Sequence, residues 1–136
     1  MIFIDADGAV LGRLASEVAK RLLNGEDITV VNAEKALVTG SRENVLSQYK
    51  LMRVIGSTRK GPFFPRMPDR ILRRTVRGML PFTQHRGRAA YKRLMVHIGV
   101  PLELGKVKTE KAGARQLRNP RYMPLGEVSH LLGAKF

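Results

Sequence analysis

The chain has 136 residues, 43% of them hydrophobic, no cysteine and a formal net charge of +14. That length predicts one domain, residues 1–136, able to bury a real core, and the missing cysteine excludes disulfides and thiolate chemistry. No apolar run approaches the ~20 residues of a membrane span and no basic-then-apolar leader opens the chain, so a cytoplasmic protein is expected.

In chain order, residues 1–5 read as a short buried strand and residues 6–8 as a turn. Val10, Leu11, Leu14, Ala15, Val18, Ala19, Leu22 and Leu23 then repeat at helical spacing, with Asn24 and Gly25 as the stop. Residues 27–31 are rich in β-branched side chains and form a second strand. Residues 36–39 are expected as a third, followed by a helix opened by Ser41 and running to about Met52. Alternating strands and helices predict an α/β fold with a parallel sheet.

The character changes after residue 50. Residues 1–50 carry six basic and seven acidic side chains, whereas residues 51–93 carry twelve basic ones against Asp69 alone. Such asymmetry points to a polyanionic partner. Residues 56–68 hold three prolines, two glycines and the pair Phe63 and Phe64, and read as an extended loop. Residues 67–81 read as a helix, with Pro68 and Asp69 at its start, Asp69 as the N-cap, and Gly78 and Pro81 at its stop. At 3.6 residues per turn Arg70, Arg73, Arg74 and Arg77 share one face, opposite Ile71, Leu72, Thr75, Val76, Met79 and Leu80. A solvated charged face would intersperse glutamates for i,i+4 pairing, and residues 70–93 contain none. A polyanion, best of all RNA, supplies the missing charge.

A second short helix is expected at about residues 88–93, and a last sheet strand at residues 94–98. Beyond Gly99 apolar periodicity fades. A short helix near residues 126–132 is expected there, in a tail held against partners rather than self-supporting.

The candidate RNA-binding residues are Arg53, Arg59, Lys60, Arg66, Arg70, Arg73, Arg74, Arg77, His85, Arg86, Arg88, Lys92 and Arg93. Arginine dominates the set, and guanidinium suits bidentate phosphate contact and stacking. Phe63, Phe64, Phe82 and Tyr91 are interleaved; they either stack on unpaired bases or pack beneath the loop. A cationic helix can also lie on a membrane, but this one has a modest apolar face and no tryptophan.

Other chemistry is weaker. The turn at residues 8–12 has Gly-x-x-x-Gly spacing, which fits neither a three-glycine dinucleotide turn nor a P-loop, so tight packing is its ordinary reading. A nucleotide-using α/β enzyme built on that turn is the alternative, as is a DNA-binding protein. His85, His97 and His130 are scattered, with no zinc spacing, and Asp5 and Asp7 read as turn formers. No catalytic set, metal site, cofactor or small-molecule substrate is expected.

Longer blocks carry a resemblance. Asp5-Ala6, Gly8, Leu11-Gly12-Arg13-Leu14-Ala15-Ser16, Val31-Asn32-Ala33-Glu34-Lys35 and Thr39-Gly40 resemble the universal large-subunit ribosomal protein thirteen family. So do Gly61-Pro62-Phe63, Arg74-Thr75-Val76-Arg77-Gly78-Met79-Leu80-Pro81, Arg86-Gly87, Ala89-Ala90 and, near the end, Leu125-Gly126-Glu127-Val128-Ser129 with Leu132-Gly133. The Gly-Pro-Phe loop and the Arg-Gly-x-Ala-Ala run are similar to the archaeal and eukaryotic branch, and the short C-terminus to its archaeal members. Phe64 departs from the histidine of many relatives, and Ala134 from an aromatic after the last Leu-Gly. The resemblance implies a three-layer α/β/α fold with a four-stranded parallel sheet and a non-catalytic role in the large ribosomal subunit. Its implied partners are large-subunit (23S-type) ribosomal RNA and neighbouring ribosomal proteins, and its implied work includes supporting subunit assembly.

Overall fold

The computed structural model describes residues 1–102, 108–112, 117 and 119–136. Four parallel strands form the sheet: β1 (Ile2–Asp5), β2 (Ile28–Val31), β4 (Leu94–Val96) and β5 (Glu110–Lys111), in the order β4-β2-β1-β5. Their register aligns Ile2, Ile28 and Leu94 in one row and Ile4, Val30 and Val96 in another. Because side chains alternate along a strand, both rows face the same way. There they meet the apolar sides of helix α1 (Leu11–Leu23) and helix α3 (Pro68–Met79), so that Ile4, Ile28, Val30 and Leu94 join Leu14, Val18, Leu22, Ile71, Leu72 and Val76 in one buried cluster. Helix α4 (His85–Lys92) packs beside α1 and leads directly into β4.

The third predicted strand leaves this sheet. β3 (Leu37–Thr39) pairs antiparallel with β6 (Tyr122–Pro124) in a separate ribbon. The cause is local. Asn32 adopts the left-handed conformation (φ 55°) and starts a 3₁₀ turn at Ala33–Lys35, which carries the chain off the sheet before β3 begins. The fourth sheet strand is β5, a pair of charged residues that hydrophobic patterning passes over.

Several expected boundaries also move. Met67, not Asp69, caps α3; Pro68 takes the first helical position, where its fixed φ and missing N–H suit it, and Asp69 falls within the first turn. Gly78 lies inside α3 rather than ending it, and Met79 is exposed. Helix α4 begins at His85, three residues before the expected start. Gly87 permits this, since a Cβ there would collide with the Pro81 carbonyl. Helix α2 (Arg42–Val54) runs slightly past its expected end and buries only Val45 fully. Of the last expected sheet strand, residues 94–98, only Leu94–Val96 forms strand.

The largest correction concerns the tail. Helix α5 (Leu125–Leu131) is part of the core: Leu125, Val128 and Leu132 belong to the buried cluster, and Gly126 sits against the Glu34 backbone with no room to spare. The Leu125 amide donates to the Ala36 carbonyl at 2.8 Å, locking the tail to the 3₁₀ turn. The described tail residues therefore support themselves against the domain. A seven-residue helix gives too few apolar repeats for its burial to be read from spacing. Part of the tail reading falls on residues outside those described.

Candidate nucleic-acid interface

The apolar face of α3 carries Ile71, Leu72 and Val76, each at 1% exposure or less, so the helix is fixed in rotation and its arginines have only one side left. Arg70 and Arg77 are exposed, whereas Arg73 and Arg74 are half-buried. The half-buried pair is seated on aromatic rings. The Arg73 guanidinium lies 4.9 Å from the centre of the Tyr91 ring and that of Arg74 lies 4.9 Å from Phe64. Arg77 adopts the same arrangement over Phe82 at 4.1 Å. The rings are themselves paired edge to face, Phe82 with Tyr91 at 5.5 Å and Phe64 with Tyr49 at 5.9 Å. Burial pushes the Tyr49 phenol above its ordinary pKa, so this second pair stays neutral and apolar.

A cation above a ring gains from the ring quadrupole while its N–H edges stay available for hydrogen bonding. The aromatics thus hold guanidiniums in place without neutralising them. Phe64, Phe82 and Tyr91, which the sequence leaves between base stacking and core packing, are supports for the arginines. Their separations from those arginines along the chain (Phe64 from Arg74, Phe82 from Arg77, Tyr91 from Arg73) follow no common spacing, so the pairing leaves no signal in the sequence.

The flanking loop is tied to the same helix. Arg74 donates from Nη1 to the Phe63 carbonyl, and Arg53, at the end of α2, donates from Nη1 to the Phe64 carbonyl, both at 3.3 Å. Residues 57–61 close a tight hairpin, with the Ser57 amide donating to the Gly61 carbonyl at 3.1 Å and the Gly61 amide to the Ser57 carbonyl at 2.9 Å. Arg59 and Lys60 stand exposed at its tip, and Arg66 lies beside Gly133 of the tail. His85, Arg86, Arg88 and Lys92 are exposed on α4.

Arg93 is different. Its Nη2 donates to the Leu22 carbonyl at 2.8 Å, adding a charged donor to an oxygen that also accepts from the Gly25 amide at 3.1 Å, and it meets the negative end of α1 there. Sequence reasoning groups it with the other cations because a cap contributed by a distant segment leaves no local pattern.

Among the described residues the ion pairs are Arg21–Glu17, Arg21–Glu110 and Arg42–Glu127, and none draws on the basic segment. Its cations therefore have no protein counter-charge there.

The competing chemistries find little support in the geometry. At the turn after β1, the Gly8 amide donates to the Lys35 carbonyl at 3.4 Å and the Ala9 amide to the Ala6 carbonyl at 3.1 Å, so these donors are committed internally rather than aimed at a phosphate. Asp5 Oδ1 accepts from the Asp7 amide at 3.0 Å and from Asn32 Nδ2 at 2.8 Å, the work of a turn former. His130 stacks on Phe136 with ring centres 4.4 Å apart, and Ser129 beside it is buried. No group of His, Asp and Glu suited to a metal ion occurs among the described residues, and no helix among them is long and apolar enough to cross a membrane.

A family model described as Ribosomal protein L13 matches residues 1–103. The chain is 54% identical to the large ribosomal subunit protein uL13 of Methanosarcina barkeri, with all of both chains covered. It belongs to the ribosomal protein L13 family. The uL13 of Archaeoglobus fulgidus is also 54% identical, over 96% of this chain and 86% of its own, and that of Methanocaldococcus jannaschii is 47% identical over the full length of both. As an L13-family protein the chain is a structural ribosomal protein and not an enzyme, and these relatives come from the archaeal branch that the sequence motifs pointed to.

Proposed function

We propose that this L13-family protein binds large-subunit ribosomal RNA through α3 and its flanking loop and helix, and that it supports assembly of the large subunit in the cytoplasm. The sheet and helices act as one domain, a rigid platform for the basic segment. Arg70, Arg73, Arg74 and Arg77 clamp phosphates where strands converge; Arg53, Arg59, Lys60 and Arg66 follow the backbone from the loop side, and His85, Arg86, Arg88 and Lys92 from α4. Arg93 contributes long-range charge while capping α1. Recognition is by RNA shape and 2′-hydroxyls more than by base identity, because the major groove of A-form RNA is too narrow to read. Neighbouring large-subunit proteins are the remaining partners, with no membrane, cofactor or small-molecule substrate.

One observation carries this reading: arginines of a single helix are held over aromatic rings with no carboxylate to neutralise them among the described residues. Such preorganisation lowers the entropy lost on engaging a polyanion. The test is affinity for folded large-subunit ribosomal RNA against duplex DNA of equal length at matched salt, with co-sedimentation in a sucrose gradient. Preference for the ribosomal RNA and migration with large subunits are expected. Equal affinity for duplex DNA, with the chain at the top of the gradient, would contradict it.

A further inference from the structure

We propose that the slot between the end of α2 and the returning chain at Phe63 receives a single unpaired RNA base. This deepens the RNA-binding reading above and rests on it. Val54 and Ile55 on the outgoing chain and Pro62 and Phe63 on the returning chain line a cleft of about 270 Å³. That is just below the roughly 300 Å³ at which drug-sized pockets begin, a space suited to one ring system. Phe63 is 70% exposed and Val54 78%, so the slot leaves uncovered just the kind of surface that folding normally hides.

The slot is held open by design of its backbone rather than by chance. The Ser57–Gly61 hairpin closes its far end, and a Cβ on Gly56 would collide with the Gly61 carbonyl, so only glycine lets the two chains approach this closely. The Phe63 and Phe64 carbonyls are pinned by Arg74 and Arg53. Collapse onto Phe63 is thereby prevented, and a ligand need not pay to order it.

Charge selects the occupant. Arg53 lines the slot, Arg59 and Lys60 follow on the hairpin between its two walls, and no carboxylate lines it. An aliphatic side chain from a partner protein would satisfy the apolar walls and leave those cations unanswered. A nucleotide satisfies both, with its base in the slot and its phosphates on the rim. Ser57 and Thr58 also line the slot; the Ser57 hydroxyl accepts from the Lys60 amide at 3.0 Å and keeps its own proton to donate, while the Thr58 hydroxyl can do both, which gives the polar edge of a base donors and an acceptor. Arg74, bonded to Phe63 and seated on Phe64, makes the slot continuous with the arginine surface of α3.

The test uses the full chain, an unstructured oligoadenylate carrying 2-aminopurine, and folded large-subunit ribosomal RNA. Stacking on Phe63 quenches the fluorophore. Phe63→Leu keeps the apolar area but loses the ring; it is expected to weaken oligoadenylate binding about 5- to 150-fold and to remove the quenching, with no change in salt dependence. Phe63→Trp restores both. If Phe63→Leu quenches and binds like the parent, the slot proposal falls while ribosomal RNA binding by the parent chain still stands. If an acidic, leucine-rich peptide binds the parent chain, loses its affinity in Phe63→Ser and is not displaced by the oligoadenylate, the slot takes protein and the proposal falls likewise. Loss of all binding to folded ribosomal RNA by the parent chain removes the underlying reading as well.

Discussion

The guanidinium of Arg77 lies 4.1 Å above the centre of the Phe82 ring, and Phe82 in turn meets Tyr91 edge to face. With Arg73 on Tyr91, and Arg74 on the Phe64–Tyr49 pair, helix α3 straddles two aromatic pairs. Arginines three and four residues apart repel one another on an isolated helix by a few tenths of a kcal/mol per pair. The rings offset that repulsion at the half-buried positions and fix where each positive charge stands.

Removing a ring is therefore expected to weaken the proposed RNA binding without removing a charge. Phe82→Leu forfeits a contact of roughly 0.5–1 kcal/mol, so affinity for folded ribosomal RNA is expected to fall about two- to five-fold. The slope of log K against log salt stays the same, because no phosphate contact is lost. Filter binding at several salt concentrations measures both; a shallower slope would show that Phe82 does more than seat Arg77.

Charge reversal separates the exposed arginines from the half-buried ones. Arg70→Glu with Arg77→Glu is expected to abolish RNA binding and lower stability by no more than about 1 kcal/mol, the contact of Arg77 with Phe82, since both side chains are exposed. On sequence grounds Arg73 would tolerate the same change, its face carrying no core residue. Its position over Tyr91 and its buried Nε alter that expectation. Arg73→Glu is expected to lower stability by about 1–3 kcal/mol. Equal melting temperatures for the two variants would contradict the distinction.

Arg93 is predicted to be a structural cation first. Arg93→Ala leaves the Leu22 carbonyl without its charged donor and is expected to destabilise the fold by about 1.5–3 kcal/mol. RNA affinity changes far less than for Arg70 or Arg77. Urea unfolding paired with RNA titration checks both halves.

The tail belongs to the fold, so damage there acts without RNA. Leu125, the first residue of α5, is fully buried, and Leu125→Ala is expected to cost about 2–5 kcal/mol. Unfolding of the free protein measures it. A change below about 1 kcal/mol would mean that the tail docks only on the assembled particle.

How far the sequence foretold this depends on the length of each signal. Helices α1 and α3 each present several turns of apolar spacing, and both were legible to within about a residue or two, as was the placing of four arginines opposite a buried stripe. Signals shorter than one period were not. β5 is two charged residues, paired with β1 and braced by Glu110 on Arg21 at 2.8 Å, an arrangement set wholly by distant chain. β3 looked like sheet and is strand, but the left-handed Asn32 diverts it to another partner, and backbone conformation at one residue is invisible to patterning. The basic segment was evident from charge alone. That Phe64, Phe82 and Tyr91 seat its arginines, and that Arg93 turns to α1, required knowing which segments meet in space.

The central claim is that the cations of residues 53–93 exist to displace counterions from RNA. Its most direct test is the salt dependence of binding to folded large-subunit ribosomal RNA. With about six to eight phosphates engaged, log K is predicted to fall against log salt with a slope of about −4 to −7. A slope shallower than about −2 would mean that the arginine surface of α3 does not lie on a sugar-phosphate backbone.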